Sequence, residues 1–213
     1  LNDVLVLTKP LGTQISVNLH EWRLAQDRKY SLLKSKNVIN DTIESLAFNI
    51  STGSMVRLNK NAAILMHKYG AHGATDITGF GPKGHINNLA ENQRKLMESG
   101  VEFEFYVHTL PIIYGMHKAA TFLKENKILN FRLTEGYSAE TSGGLLIMLP
   151  PKAADLFIKE IEQLDGWPAV KVGEIRRKQG YDYNQQNELV VFESEQNMKI
   201  VEIGKSVSLK ANL

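Results

Sequence analysis

The chain has 213 residues, 43% of them apolar and 23% charged, with a formal net charge of +2, which is enough material to bury one large core or two small ones. So small an excess of scattered lysine and arginine argues against a nucleic-acid binder, and no run approaches the roughly 18 apolar residues of a membrane span. The absence of cysteine removes disulfides, thiolate metal sites and cysteine nucleophiles from this segment.

Taken in chain order, Val4 to Thr8 reads as a buried strand ended by Pro10 and Gly12. No basic region precedes it as in a signal peptide, and a start without Met, almost directly in a strand, reads as a fragment or a processed chain. His20 to Lys36 is polar and mixed, with a short helix and a loop expected. Asn40 or Asp41 caps a helix with Ile43, Leu46, Ala47 and Ile50 at helical spacing. Gly53 is expected to interrupt it before a second helical segment carrying Met55, Leu58, Ala62, Leu65, Met66 and Tyr69, closed by Gly70.

Residues 71 to 85 hold four glycines and lead into a helix expected from about Gly84 to Ser99. Val101 to Val107 alternates as a half-buried strand, and Pro111 is expected to open a further helix. Ser138 to Gly144 is a second glycine- and hydroxyl-rich turn, feeding the apolar strand Leu145 to Leu149. Pro150 and Pro151 then start a helix to about Leu164. Val170 to Ile175, Glu188 to Phe192 and Lys199 to Ile203 read as closing strands with no helices between them. The expected fold class is therefore α+β, a layered α/β/α domain with a mixed sheet, forming one domain over residues 1–213.

Three segments can carry chemistry. Ala74-Thr75-Asp76-Ile77-Thr78-Gly79-Phe80-Gly81-Pro82-Lys83-Gly84-His85 sets one carboxylate among hydroxyls and glycines just before a helix, where backbone amides and the helix N-terminus favour an anion. A lone aspartate would repel phosphate unless magnesium lay between them, and magnesium often takes one or two carboxylates together with phosphate oxygens. On spacing alone Asp76 is read first as a turn or N-cap residue satisfying local donors, and as a metal ligand second. Glu140-Thr141-Ser142-Gly143-Gly144 reads first as a strand-entry turn whose Gly-Gly permits positive φ, and second as a source of amides for a phosphate. Lys9, in Thr8-Lys9-Pro10-Leu11-Gly12-Thr13, reads as a surface lysine at a strand end, with a phosphate contact as the alternative. The histidines lack zinc-site spacing and the serines lack a nucleophile-elbow context.

Together, in this order, Leu7-Thr8-Lys9-Pro10-Leu11-Gly12-Thr13, Ala74 to Gly81 with Gly84-His85, and Glu140-Thr141-Ser142-Gly143-Gly144-Leu145-Leu146 resemble the C-terminal half of the selenophosphate synthetase (selenide, water dikinase) family. Arg57-Leu58-Asn59 with Ala62-Ala63 resembles the helix before the central motif. The resemblance is weakest over residues 20 to 40 and after about residue 176. It implies an ATP-binding superfamily named for aminoimidazole ribonucleotide synthetase, and a reaction making selenophosphate, AMP and phosphate from selenide, ATP and water.

It further implies that the glycine-rich loop, the catalytic Cys or selenocysteine, a lysine, several magnesium-binding aspartates and the homodimer interface lie in an N-terminal domain outside this chain. Residues 1–13 would then form a strand and turn at the junction with that domain. This part alone is expected to be inactive, with no catalytic residue of its own, and free to be monomeric. Asp76 is carried over as the metal ligand, holding magnesium against ATP phosphates, which reverses the order reached from spacing. Thr78, Gly79 and Gly81 are carried over as nucleotide-binding loop residues, while Lys9, Thr13, Thr141 and Ser142 receive no assigned role. The implied partners are ATP and selenide, with no nucleic acid and no membrane, in the cytoplasm.

One departure is visible: where the family has two apolar residues before Gly-His, this chain has Pro82 and Lys83, the latter expected to add positive charge near the phosphates. Three other readings stand beside this one. The parent protein is a catalytically inactive paralogue that binds nucleotide or protein, it is another member of the same superfamily, or this is a plain globular domain in which Asp76 caps a helix.

Overall fold

The computed structural model describes residues 2–96, 102–178 and 188–204. The elements run β1 (Val4–Leu7), α1 (Thr13–Leu24), α2 (Arg28–Ser35), α3 (Asp41–Val56), α4 (Lys60–Lys68), β2 (Gly73–Asp76), α5 (Gly81–Leu96), β3 (Phe103–Val107), β4 (Thr109–Ile113), α6 (Met116–Glu125), β5 (Leu145–Leu149), α7 (Pro151–Asp165), β6 (Val170–Arg177), β7 (Val190–Phe192) and β8 (Lys199–Ile203). A six-stranded sheet has the order β2-β5-β1-β6-β3-β7, and β4 pairs with β8 in a separate ribbon. The large sheet is mixed: β3 and β7 are parallel, the other neighbours antiparallel.

The central strands are apolar on both faces because both faces are covered. Leu5, Leu7, Leu146 and Met148 point into the main core, with Ile15 and Leu19 of α1, Ile50 of α3 and Leu123 of α6. Their neighbours Val6, Ile147 and Leu149 point the other way, onto Ala62 and Leu65 of α4 and Ala154, Phe157 and Ile161 of α7. The period-2 alternation of strand side chains thus divides β1 and β5 between two cores. This is the layered α+β arrangement expected from the sequence. Among the described residues, no helix is long and apolar enough to cross a membrane.

Several local expectations are corrected. Gly53 does not interrupt α3. It sits within it, and a Cβ there would lie 3.2 Å from the Trp167 ring, so the glycine makes room for that ring. The break comes later, where Arg57 turns extended after Val56, and Leu58 is left exposed before α4. α1 begins at Thr13, ahead of the stretch His20 to Lys36 expected to hold a short helix and a loop, and α2 lies wholly inside that stretch. Asp27 caps α2 by accepting from the Lys29 amide at 2.7 Å.

Pro111 opens no helix. It lies inside β4, its carbonyl accepting from Leu11 N–H at 2.8 Å on the side away from β8. N–H and C=O of one strand residue point the same way, so its missing N–H costs the β4–β8 ladder nothing. The following helix, α6, begins at Met116 instead, after Gly115 in the left-handed region. The helix expected from Gly84 begins at Gly81, and its expected end at Ser99 lies outside the described residues.

Candidate functional site

The three segments singled out in the sequence meet at one end of the sheet. β2 is an edge strand paired to β5, with Asp76 opposite Leu145, so the residues after Asp76 run beside the turn that leads into β5. Ile77 N–H donates to the Gly144 carbonyl at 2.9 Å, and Glu140 N–H donates to the Thr78 carbonyl at 3.1 Å. On the other side of the turn, Thr8 N–H donates to Leu145 C=O at 3.0 Å and Leu145 N–H donates to Thr8 Oγ1 at 2.9 Å.

Gly143 and Gly144 make this interlock possible through their size. A Cβ on Gly143 would stand 1.9 Å from the Ile77 carbonyl oxygen, and one on Gly144 would stand 2.5 Å from Lys9 N. Neither adopts positive φ. The left-handed residue of the turn is Ser142, at φ 48°, so the conformational reading of Gly-Gly is replaced by a steric one.

Two buried charges bind the turn to the β1–α1 connection. Glu140 is fully buried and accepts from the Gly12 amide at 2.7 Å, from the Thr13 amide at 2.9 Å and from the Thr13 hydroxyl. These donors are the orphan amides at the start of α1, so a carboxylate distant in sequence does the work of a local cap. Burial raises the Glu140 carboxyl from 4.5 to about 7, against the lowering effect of those hydrogen bonds.

Lys9 is not a surface lysine, being 2% exposed. Its ammonium donates to the carbonyl of Arg57 at 2.6 Å and to that of Ser142 at 2.7 Å. Desolvation, then the nearby Arg57 guanidinium, lower it from 10.5 to about 8, while Asp165 acts in the opposite sense. Arg57 completes the brace: its guanidinium donates to Asp165 at 2.9 Å and to the Thr8 carbonyl at 2.6 Å. Asn59 donates to the Gly143 carbonyl at 2.9 Å.

What faces outward along this junction is Asp76, Gly79, Phe80, Thr141 and Ser142, with Phe80 71% exposed. Asp76 is not the N-cap of α5, which begins five residues later. Thr78 shares a hydrogen bond with His85 Nε2 at 3.1 Å, and the Phe80 and His85 rings lie 5.6 Å apart.

Gly81 adopts φ 69° and packs so closely on the 136–138 backbone that a Cβ would stand 2.6 Å from the Gly136 carbonyl, so its role is to seat the helix start. The α5 N-terminus does not present free amides at its first positions. Gly81 N–H goes to Thr78 C=O at 3.0 Å, Pro82 has none, and Lys83 N–H goes to Gly136 C=O at 2.8 Å. Nor does Lys83 supply the charge expected near phosphate. Its ammonium pairs with Glu188 at 2.9 Å and lies 5.9 Å from the centres of the Tyr137 and Phe192 rings.

For a divalent metal, the fit is partial. Among the described residues no group of three or more His, Cys, Asp or Glu side chains is placed to hold an ion. Asp76 is a single exposed carboxylate beside two exposed hydroxyl residues, a donor set that suits one protein ligand of a magnesium otherwise held by phosphate oxygens and water.

Sequence reading located Asp76, Thr78, Gly79 and Gly81 in one segment but missed what fixes it. Glu140 and Lys9 are the buried charges, and Arg57 and His85 the partners that no local spacing reveals. Their visible sign in the sequence was that each lies in one of the runs that carry the family resemblance.

Residues 2–184 match the family described as AIR synthase related protein, C-terminal domain. A protein of Dictyostelium discoideum named selenide, water dikinase is 43% identical over 94% of this chain and 51% of its own length. A Drosophila melanogaster protein named selenide, water dikinase 2 is 48% identical over 76% of this chain and 40% of its own. The chain therefore spans about half the length of these relatives or less. Among solved structures, the hydrogenase maturation protein HypE in complex with ATP superposes with a TM-score of 0.56 at 15% identity, over 95% of this chain and 52% of that one, a likeness of fold alone. On the match over residues 2–184, the chain belongs to the AIR synthase related protein C-terminal domain family.

Proposed function

We propose that this chain is the C-terminal part of a selenide, water dikinase, with Asp76 as its one contribution to magnesium binding. In this reading the whole protein makes selenophosphate, AMP and phosphate from selenide, ATP and water. The selenophosphate then serves as selenium donor for selenocysteine synthesis. The protein acts in the cytoplasm as a homodimer whose interface lies outside this chain. A 43% identity over 94% of the chain supports the family reading, and the three motifs meeting at one end of the sheet support the site. The observation that carries the assignment of Asp76 is its exposure at the end of β2, on a segment braced by buried residues from both sides.

The chain's own residues divide the work. Asp76 offers the carboxylate. Thr78, oriented by His85, and Gly79 line the approach to the phosphates, while Gly81 anchors the start of α5 and keeps that loop in register. Magnesium, when bound, supplies charge neutralisation for phosphoryl transfer, a reaction that depends on positioning and electrostatics. In this reading the reacting groups lie in the part of the protein outside this chain, and this part alone is inactive.

The test is selenide-dependent AMP formation from ATP by the full-length protein beside its Asp76→Asn variant. A roughly hundredfold loss of turnover, relieved in part by raising magnesium and with folding intact, is the expected result. Full activity in the variant would return Asp76 to a structural turn. No activity in a folded wild-type protein supplied with selenide and magnesium would point to an inactive paralogue or another superfamily member.

A further inference from the structure

Lys9 stands out among the buried groups because the fold gains so little from its charge. An ammonium surrounded by two neutral carbonyls and a neighbouring guanidinium is poorly compensated. An unbranched apolar side chain would fill the same space without that desolvation. The charged groups that face it are the Arg57 guanidinium at the end of α3 and Asp165 at the end of α7. Arg57 and Asp165 bind one another, at 2.9 Å, so the one carboxylate that faces Lys9 is already paired with a guanidinium, and that guanidinium repels the ammonium. The turn contributes only the Ser142 carbonyl, since the Glu140 carboxylate is directed to Gly12 and Thr13.

What the ammonium does hold is specific. Ser142 is the left-handed residue of the turn, and its carbonyl belongs to the peptide unit whose other end is the Gly143 N–H. Fixing that carbonyl fixes the plane of the peptide, and with it the backbone of exposed Ser142 on one side. On the other side it fixes Gly143, packed against the Ile77 carbonyl one residue from Asp76. A non-glycine residue at positive φ persists only where its surroundings enforce it.

We propose that Lys9 is a positioning residue: gripping the Ser142 carbonyl from below, it sets the 141–143 backbone beside Asp76 in the geometry that meets the phosphates. This rests on the functional reading above, and the experiment separates the two. In the full-length protein, the Gly143 amide is followed by NMR as pH is raised, in wild type and in Lys9→Met, alongside thermal unfolding and selenide-dependent kinetics.

In wild type the Gly143 resonance should titrate with a midpoint near 8, as the ammonium that holds the adjoining carbonyl is lost. In Lys9→Met that step should vanish. kcat should fall roughly tenfold to a hundredfold, with KM for ATP within about threefold. The unfolding midpoint should stay within about 5 °C, which separates misplacement from loss of fold.

A Gly143 resonance that titrates alike in both proteins overturns the proposal, as does an unchanged kcat in a variant that has lost the step. If a marked fall in the unfolding midpoint accounts for the lost activity, Lys9 is structural and the proposal fails. Should the wild-type protein make no AMP from selenide and ATP, the functional reading falls. Positioning for that reaction falls with it, while the Gly143 titration still decides whether Lys9 grips the turn.

Discussion

The two sides of β1 are held by different physics. Against α4 and α7, Val6, Ile147, Leu149, Phe157 and Ile161 form an apolar cluster in which position follows from volume and burial. At the C-terminal end of the same strand, Lys9, Glu140, Thr8 and Thr13 are equally buried. Position there follows from directed hydrogen bonds to charged groups and from two glycines pressed against backbone. The first arrangement tolerates exchange among apolar residues of similar size. In the second, an exchange that keeps volume still loses the contact, because the donors and acceptors are matched in direction to particular partners. The exposed edge at Asp76 thus rests on the directed contacts beyond the end of β1, and general stability on the apolar cluster under the strand.

This contrast can be broken in three ways, from the largest expected effect to the smallest. Phe157→Ala removes the largest member of the apolar cluster and should cost about 4 kcal/mol in chemical denaturation, with the junction's amide protection unchanged up to the unfolding transition. Gly143→Ala adds one methyl group where the nearest atom is a backbone oxygen at 1.9 Å, and should cost about 3 kcal/mol. Unlike Phe157→Ala, it should selectively expose the amides of Ile77 and Glu140, which hydrogen exchange would read; a change confined to global stability would count against a rigid interlock.

Glu140→Gln tests the charged side of the comparison through pH. The folded carboxyl is raised from 4.5 to about 7, so between those values the folded state holds more protons than the unfolded state. This group's contribution is fully present below pH 4.5 and is lost as pH rises through about 7. The advantage of wild type over the variant should therefore be larger at pH 4.5 than at pH 7.5, by about 3 kcal/mol at most. Parallel stability curves would mean that Glu140 does not titrate in that range.

Much of the strand pattern was legible because it is local. β5 and β8 fall on their expected residues, and β1 lies within its expected run, since short apolar or alternating stretches bounded by proline, glycine and polar turns leave little choice. The errors share a cause. Pro111 carries a local preference for helix starts, but its strand survives because its missing donor faces away from the pairing partner. Gly53 has the local character of a breaker, and tertiary contact with Trp167 explains it instead. No helix is expected from the sequence between Thr13 and His20, where α1 begins, because its cap is a carboxylate from beyond residue 130.

The candidate site divides the same way. The sequence by itself singled out the segments that the fold brings together: Asp76 with Thr78, Gly79 and Gly81, the Glu140 to Gly144 turn, and the run through Lys9. It also excluded a cysteine nucleophile, because composition and order are properties of the chain alone. Only the tertiary structure decided which polar groups are used up inside the fold and which are left exposed. Lys9, Lys83 and the first amides of α5 are spent on carbonyls, carboxylate and aromatic rings, whereas Asp76, Thr141 and Ser142 are left facing outward. The reason is that a charge is claimed or left free by partners within about 3–4 Å, and those partners lie up to 133 residues away along the chain.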